Sequence, residues 1–509
     1  MIRIGVLLLL FVFGRAQAEP LPTPLPIGEL DQARLLAVYG EALSFIAPRI
    51  LEPVPVTQLT VWGLQSLTTL DPIFRVGAED GRLQLFRYSD LVLETEAPKD
   101  GAPAVWARTA TELTAASYRL SPQLRRAGTQ GVIRGFFDEM LGRLDPYSRY
   151  VPPLQASAER ARRAGRSNIG LTVGLRGSLI EVQGVVRDSP AAIIGIRPGD
   201  TLWAIDGQRT RGQDPVTIAA LLAGPEGSTV TLSWRGRDGR TREAQLTRVM
   251  VAAETVFAQR AAGVLVLRVT SFSNTTASHL ALSVQDAMTE PHPADGIVLD
   301  LRDNRGGLLR QAVTAADTFL PAGVVAVTTG RDPDANHIWR SAEGELAENV
   351  PLVILVDGRT ASSAEILAAA LADRGRAVVV GSSTVGKGLV QTIDPLPDGG
   401  DLFVTWSRVL APLGWPIQGL GVLPQVCTSR GQDTLNRQLA ALSTGFQPMA
   451  AAIRRQRAAR APVSSTEVLE IRAACPGAEG RAADMDAARA LIANPAAYAA
   501  ALLPPIANQ

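Results

Sequence analysis

The sequence predicts a multidomain α/β protein, in which a small β domain precedes an α/β core and helical regions lie at both ends. Its 509 residues are too many for one hydrophobic core, because domains usually hold ~100 to 200 residues. Glycine-separated, strand-like runs occupy residues 165–252, and buried strands alternate with amphipathic helices over residues 253–430. Helical periodicity dominates residues 19–164 and 431–509.

The first eighteen residues, MIRIGVLLLLFVFGRAQA, predict a cleavable signal peptide. A positive Arg3 precedes an apolar stretch from Ile4 to Phe13, and Ala-Gln-Ala stands before Glu19. The apolar stretch is too short to span a bilayer, although an uncleaved anchor is the alternative. We therefore expect an exported protein, periplasmic or extracellular, with no stable membrane span once the signal is removed.

Composition narrows the classes of partner. Fifty basic and forty-nine acidic side chains give a net charge of +1, so electrostatics provide no reason to expect nucleic acid. The two cysteines, Cys427 and Cys475, would meet an oxidising compartment, which favours a disulfide over two buried thiols. Their spacing and the lack of a third ligand argue against a metal site.

The N-terminal region, residues 19–164, is predicted to be mostly helical with one strand-like interruption. The strand-like run is GRLQLFRYSDLVLETE, and the amphipathic runs are DQARLLAVYGEALSFI, TQLTVWGLQSLTTL and GVIRGFFDEMLGRL. In the small β domain the predicted strands IGLTVGL, LIEVQGVV, DTLWAIDG and STVTLSW are joined by glycine turns and by one helix, DPVTIAALLAG.

The α/β core contains two adjacent serines at a predicted strand–turn–helix junction. The buried strand PLVILVDG ends near Asp357, and a helix begins around Ser362 and Ser363. A hydroxyl at a helix N-terminus lies where a developing anion is stabilised. The alternative is a plain N-cap in which either serine binds a free backbone N–H, with Glu365 as its capping-box partner.

A nucleophilic serine needs a base, and lysine is the better candidate here. The only lysines are Lys99, in a polar run, and Lys387, between two glycines. A desolvated lysine can act as a neutral base, whereas arginine cannot lose its proton. Gln391 stands at the i, i+4 spacing from Lys387, on the same face of a helix or a strand. The three histidines lie in predicted loops or on an amphipathic helix: His279, His292 and His337.

The run GIVLDLRDNRGGLL places two glycines after a neighbouring strand. The backbone N–H of Gly306 or Gly307, together with that of Ser363, would converge on a tetrahedral oxyanion. A tight glycine turn without a chemical role is the alternative.

At these residues the sequence resembles the C-terminal processing peptidases, also called tail-specific proteases. Five runs match that family's core motifs in order: GVLVLRVTSFS, GIVLDLRDNRGG, DGRTASSAEILAAALAD, VVVGSSTVGKGLVQT and GWPIQGLGVLPQV. NIGLTV with DSPAAIIGIRPGDTLWAIDG resembles an inserted PDZ domain, and LGRLDPYSRYVPP resembles the segment before it. The resemblance implies a core of the crotonase and ClpP type and a serine-type endopeptidase that needs no cofactor.

The resemblance also implies roles for individual residues. Ser362 would be the nucleophile, Lys387 the general base and Gln391 the residue that orients it, and Ser363 would supply an oxyanion N–H. In the PDZ-like domain, a peptide would add as a strand beside LTVGL, with its terminal carboxylate on four backbone N–H groups: Asn168, Ile169, Gly170 and Leu171. The expected partners are therefore proteins or peptides with free C-termini.

Four positions depart from the family pattern. Ser363 stands where alanine is usual, Arg305 where proline is common, Tyr147 where histidine is frequent and Gln425 where aspartate is usual. These departures leave open a PDZ-based adaptor with a silent or activator-dependent core. A crotonase-like acyl-CoA enzyme is a second alternative, which the PDZ-like domain and the signal peptide disfavour. The C-terminal helices are candidates for assembling a homo-oligomer or for binding an adaptor.

Overall fold

The computed structural model describes residues 29–99, 101–164, 166–186, 188–251, 254–342 and 344–502. The predicted signal peptide, residues 1–18, lies outside the described residues. The chain divides into two compact units: the residues up to Leu43 with Val56–Arg143, and Ser44–Pro55 with the residues from Leu144 onward. Within the described ranges, no helix is both long enough and apolar enough to cross a membrane.

The first unit is built mainly from helices packed around aromatic side chains. Tyr39 stacks on Phe136 with ring centroids 4.0 Å apart, and Trp106 is fully buried. Ser121 begins the last helix by accepting the Leu124 N–H on its hydroxyl at 3.0 Å. The elements up to Arg143 are α1 (Gln32–Arg49), α2 (Val56–Leu64), α3 (Ser66–Leu70), β1 (Phe74–Glu79), β2 (Arg82–Arg87), β3 (Asp90–Glu96), α4 (Pro103–Leu120) and α5 (Pro122–Leu141).

The predicted N-terminal region ended at residue 164, whereas the first compact unit ends at Arg143. Beyond that point come β4 (Arg149–Val151) and α6 (Pro153–Ala164). β4 pairs antiparallel with residues 401–403 of the core. Backbone pairing therefore joins this stretch to the core, which a local periodicity does not reveal.

The small β domain is an antiparallel sheet with one long helix beside its edge strand. Its strand order is β11-β10-β8-β7-β6, with β9 on β8 and a separate β12-β5 pair. Helix α8 contacts β6, so β6 keeps an edge next to a helix. The elements are β5 (Arg166–Asn168), β6 (Leu171–Arg176), β7 (Leu179–Val185), α7 (Pro190–Ile193), β8 (Thr201–Ile205), β9 (Gln208–Arg209), α8 (Pro215–Leu222), β10 (Thr229–Arg235), β11 (Thr241–Thr247) and β12 (Val249–Val251).

The core holds a largely parallel sheet of order β13-β14-β15-β18-β19-β22 and a second sheet of order β17-β16-β21-β20. Every residue of β15 and β18 is buried, as expected for strands covered on both faces. The elements are β13 (Val256–Ala261), β14 (Val264–Val269), α9 (Thr276–Thr289), β15 (Gly296–Asp300), α10 (Leu309–Asp317), β16 (Gly323–Thr329), a 3₁₀ turn (Pro333–Ala335), β17 (His337–Ser341), β18 (Leu352–Val356), α11 (Ser363–Asp373), β19 (Val378–Gly381), β20 (Leu389–Pro395), β21 (Asp401–Leu410) and β22 (Val426–Cys427).

Three C-terminal helices, α12 (Gln432–Ser443), α15 (Ala482–Ala493) and α16 (Pro495–Ala501), cover one face of the parallel sheet. Val353 and Leu355 of β18 pack with Leu435 and Leu491 in one buried cluster, whereas α9, α10 and α11 contribute to the cluster on the other face. The other two C-terminal helices are α13 (Ala450–Ala458) and α14 (Ser465–Arg472), and Ile471 of α14 belongs to the cluster on the other face. A disulfide joins Cys427 to Cys475 with an S–S distance of 2.07 Å.

Candidate active site

The turn before α11 holds Ser362 in a backbone conformation that non-glycine residues rarely adopt. Ser362 has φ 58° and ψ −120° and immediately precedes the helix. Such a conformation persists only where the surroundings enforce it, and it is concentrated at functional sites. Here the Ala361 N–H donates to the Asn304 carbonyl at 2.9 Å, and the Val385 N–H donates to the Thr360 carbonyl at 3.0 Å. The turn is therefore fixed from both neighbouring loops.

The carboxylate of Asp357 organises the same turn. Its Oδ1 accepts the N–H groups of Asp303, Arg359 and Thr360, each at 3.0 Å. Asp303 belongs to the loop after β15, so one buried carboxylate aligns the ends of two adjacent parallel strands.

Glu365 connects the segment of Ser362 to that of Lys387. The side chain is fully buried, and its Oε2 accepts the Ser362 N–H and the Lys387 N–H, both at 2.8 Å. Its Oε1 accepts the Gly386 N–H at 2.6 Å and the Thr384 hydroxyl. Burial raises the pKa of this carboxyl, and the four hydrogen bonds oppose that increase. Sequence reasoning treated Glu365 only as a helix cap; the Ser-x-x-Glu spacing was the available signal.

The two serines have different environments. Ser363 is 1% exposed, and its hydroxyl donates to the Gly307 carbonyl at 2.9 Å. Ser362 is only partly buried. The hydroxyl that replaces the family's usual alanine thus fastens the glycine loop, and Ser362, which forms a capping box with Glu365, is the more exposed of the two serines.

The glycine loop lies directly against Ser362. A Cβ on Gly306, whose φ is 93°, would lie 2.8 Å from the Ser362 Cβ, so no side chain fits there. The Gly306 N–H donates to the Asn304 side chain at 2.8 Å. Of the donors that the sequence suggested, Gly307 and Ser363 are thus better suited to an oxyanion than Gly306.

Lys387 lies in the loop between β19 and β20, half-buried. Burial lowers the pKa of its ammonium, the nearby positive charge of Arg149 lowers it further, and Glu365 raises it. The lysine Nζ lies 5.2 Å from the centroid of the Tyr147 ring, within the range of a cation–π interaction. Tyr147 was noticed in the sequence only as a departure from the family pattern.

Gln391 is in β20, close to Lys387 along the chain, but its amide has other partners. Its Nε2 donates to the Leu389 carbonyl at 3.2 Å and to the Thr405 hydroxyl at 3.1 Å. The Thr405 hydroxyl in turn donates to Asp145 at 2.8 Å. Gln391 is therefore connected to the segment that carries Tyr147.

The other basic candidates lie elsewhere. Lys99 is exposed after β3, as its polar surroundings predicted. His279 is on α9, His292 follows that helix on the surface, and His337 is an exposed residue of β17.

The predicted carboxylate-binding loop of the β domain lies between β5 and the edge strand β6. Asn168 ends β5, Ile169 is fully buried and Leu171 begins β6. The Gly170 N–H donates to the Asn168 side chain at 2.6 Å. A peptide carboxylate would therefore share or displace that bond at one of the four predicted donors.

A C-terminal segment, residues 475–484, supports the loops of the site, which sequence reasoning did not anticipate. The Gly358 N–H donates to the Ala478 carbonyl at 2.7 Å, and the Gly480 N–H donates to Asp357 at 3.2 Å. The Ala478 N–H donates to the Ser382 hydroxyl at 3.0 Å. These bonds involve main-chain groups that no residue pattern identifies.

The structure shows the contacts of two further residues that depart from the family pattern, Arg305 and Gln425. Arg305 has a 71% exposed side chain and lies 3.5 Å from the half-exposed Asp303. Gln425 is buried and accepts the Val379 N–H at 2.8 Å, which supports strand β19.

Comparison with known proteins gives a consistent picture. Residues 263–428 match peptidase family S41, and residues 181–236 match the PDZ domain. A carboxy-terminal-processing protease of Bartonella bacilliformis is 34% identical over 303 residues, or 58% of this chain and 69% of that protein. One from a Picosynechococcus species is 35% identical over 295 residues, or 56% and 70% of the two chains. The solved photosystem II D1 C-terminal processing protease is 26% identical with a TM-score of 0.37, covering 72% and 92% of the two chains.

Proposed function

Because this chain belongs to the carboxyl-terminal-processing proteases of peptidase family S41 and contains a PDZ domain, we propose that it is an exported endopeptidase that cleaves proteins near their C-termini through a Ser362–Lys387 acyl-enzyme mechanism. Its standing as a serine-type peptidase follows from the family. The residue roles, the export and the tail recognition are proposals. The observation that carries the residue roles is the single Glu365 oxygen that binds the backbone of both Ser362 and Lys387.

In this mechanism Ser362 attacks the scissile carbonyl after neutral Lys387 takes its proton. The N–H groups of Gly307 and Ser363 stabilise the oxyanion. Lys387 returns the proton to the leaving amine, and water then hydrolyses the acyl-enzyme by the reverse sequence. The lowered lysine pKa supports this role because it increases the neutral fraction near neutral pH.

The PDZ domain would hold the substrate tail as an added strand on the edge of β6, beside α8. Its loop of Asn168, Ile169, Gly170 and Leu171 would receive the terminal carboxylate. We assign domain limits of 165–252 to this domain and 253–430 to the peptidase core, with residues 1–18 as a signal peptide. The export proposal rests on the sequence of those first residues.

A second candidate is a PDZ adaptor whose peptidase core is silent or needs an activator. The observation that favours it is the position of the Lys387 ammonium beside Tyr147, together with a Gln391 amide nitrogen that donates to Leu389 and Thr405.

The deciding experiment uses the purified mature chain and an unstructured protein with a free apolar C-terminus, followed by mass spectrometry. We expect internal cleavage by the unchanged chain and none by Ser362→Ala or Lys387→Ala. The same substrate with an amidated C-terminus tests tail recognition and should be cleaved more slowly. Binding of the tail without any cleavage would contradict the proposal and support the adaptor.

A further inference from the structure

We propose that Tyr147 is a positioning residue for the base: its ring holds the Lys387 ammonium in the resting enzyme and thereby sets the pH at which the lysine becomes active. The inference rests on the proposed role of Lys387. Its first support is the contact itself, with Nζ 5.2 Å from the ring centroid. Cations within about 6 Å of an aromatic centroid are attracted by the ring quadrupole.

The second support is that Tyr147 is held by a built turn. Asp145 accepts the Tyr147 N–H at 2.8 Å and the Ser148 N–H at 2.9 Å. The Ser148 hydroxyl accepts the Thr405 N–H at 2.9 Å. Pairing of β4 with β21 continues the attachment. The turn is therefore fastened to the sheet that also carries Gln391.

The third support is the connection to Gln391. Its amide donates to the Thr405 hydroxyl at 3.1 Å, and that hydroxyl donates to Asp145 at 2.8 Å. Through this chain Gln391 holds the turn that places the tyrosine ring. Its influence on Lys387 would therefore be indirect, by way of Thr405 and Asp145.

The direction in which the Tyr147 ring shifts the pKa of Lys387 follows from the positive charge of the ammonium. A ring attracts the ammonium and not the neutral amine, so Tyr147 favours the protonated lysine. Burial disfavours the charge of Lys387 most, Arg149 from β4 disfavours it further, and Glu365 from α11 favours it. Removing the ring should move deprotonation to lower pH, whereas loss of a purely structural contact would reduce activity without moving its midpoint.

The test exploits the two-lysine composition of the chain. Lysine labelled with ¹³C at Cε gives two sets of resonances, and Lys99→Arg assigns that of Lys387. In the Ser362→Ala background, the Lys387 titration is followed with Tyr147 intact, as Tyr147→Phe and as Tyr147→Leu. Tyr88→Leu, a tyrosine 69% exposed outside the site, is the matched control.

We expect Tyr147→Leu to lower the midpoint by about half a pH unit, given a cation–π contribution of roughly 0.5 to 1 kcal/mol and 1.36 kcal/mol per pH unit. Tyr147→Phe and Tyr88→Leu should leave it unchanged, and the upfield ring-current displacement of the Lys387 methylene signals should vanish only in Tyr147→Leu. An unchanged midpoint and unchanged methylene shifts in a folded Tyr147→Leu chain would overturn the proposal.

The titration does not depend on turnover, so it separates this inference from the proposed function. The parallel measurement is kcat/KM against pH in chains that retain Ser362, where the rising limb should move with the NMR midpoint. Activity that survives Lys387→Ala would refute the base assignment, and with it the functional part of this inference. The NMR result would still decide whether Tyr147 holds the ammonium.

Discussion

The main chain around Ser362 is fixed by buried carboxylates and by loops from three directions, whereas the side chain of Lys387 rests on an aromatic ring. Asp357 accepts the Thr360 N–H, and Glu365 accepts the N–H of Ser362 itself. Lys387 shares that anchorage only through its backbone, and its Nζ lies beside Tyr147. The proposed nucleophile is thus preorganised by the fold, while the proposed base lies against a ring whose attraction depends on the charge of the lysine.

This difference suggests how the segment of Ser362 and the side chain of Lys387 contribute to the proposed reaction. A preorganised nucleophile and oxyanion loop need no rearrangement during reaction. A base that must lose a proton and leave a ring can respond to substrate, because binding that alters the ring's position changes the neutral fraction. Substitutions that separate the two halves test this distinction.

The largest effect is expected from Lys387→Arg. The guanidinium remains protonated and cannot act as a base, so we expect kcat/KM to fall by about 10²- to 10⁴-fold, nearly as far as in Lys387→Ala. Steady-state cleavage of a tail peptide measures it, with Lys99→Arg as the matched control. Substantial activity in the arginine variant would remove Lys387 from its proposed role.

Glu365→Gln tests the hydrogen bonds by which Glu365 connects the segment of Ser362 to the segment of Lys387. An amide has one acceptor oxygen and adds N–H donors beside the N–H groups of Ser362 and Lys387, so both segments should shift. We expect about a 10²-fold loss of kcat/KM, since small misplacements cost that much. Asp373→Asn, another buried carboxylate, is the control: it should reduce stability without a comparable loss of activity in the folded fraction. Equal losses in both variants would contradict a connecting role for Glu365.

Removal of the disulfide tests whether the C-terminal segment, residues 475–484, supports the turn that carries Ser362. Cys427 and Cys475 enclose a separation of 48 residues, for which the loop-entropy relation gives about 4 kcal/mol of stabilisation. We expect the Cys427→Ser, Cys475→Ser double variant to lose roughly that free energy of unfolding in urea, with a several-fold fall in kcat/KM. Reduced wild-type chain should behave alike, and the double variant should not respond to reductant. Unaltered stability would mean that the bond is dispensable.

The smallest effect is expected at Arg305, whose side chain is exposed and which directly precedes Gly306, the glycine that lies against Ser362. Exposed ion pairs contribute about 0.2 to 1 kcal/mol, so Arg305→Gln should lower kcat/KM about two- to fivefold for peptides with glutamate beside the scissile bond. Matched glutamine peptides should be unaffected. Arg134→Gln, on the exposed side of a helix, controls for loss of one positive charge. An equal effect on both peptides would exclude recognition of an acidic side chain.

The sequence predicted the parallel core and the PDZ domain because buried strands, glycine turns and ordered motifs are local signals. The serine turn was likewise predictable from a strand followed by Ser362 and a helix. The hydrogen-bond partners of the side chains around this turn were not predictable from the sequence. Gln391 was expected to hold Lys387, but its amide nitrogen bonds across the sheet to Thr405, a partner set by strand register.

Tyr147 and the C-terminal segment were harder still. Tyr147 is far from Lys387 in sequence, and only the pairing of β4 with β21 brings it to the site. The bonds from residues 475–484 to the turn before α11 include backbone groups, such as the Ala478 carbonyl and the Gly480 N–H. Backbone groups are the same in every sequence, so composition and periodicity do not identify them.

The position of that segment in the chain has a consequence for biosynthesis. Residues 475–484 follow the whole stretch that matches family S41, so they emerge from the ribosome after the serine, the lysine and the glycine loop have been made. Until they dock, Gly358 lacks its hydrogen bond to the Ala478 carbonyl and Asp357 lacks the one from the Gly480 N–H, although Asp357 keeps its three other backbone donors. A nascent chain that lacks this segment would therefore hold the turn before α11 with fewer hydrogen bonds than the finished chain. The order of synthesis would thus leave the turn incompletely supported until the C-terminal segment has been made.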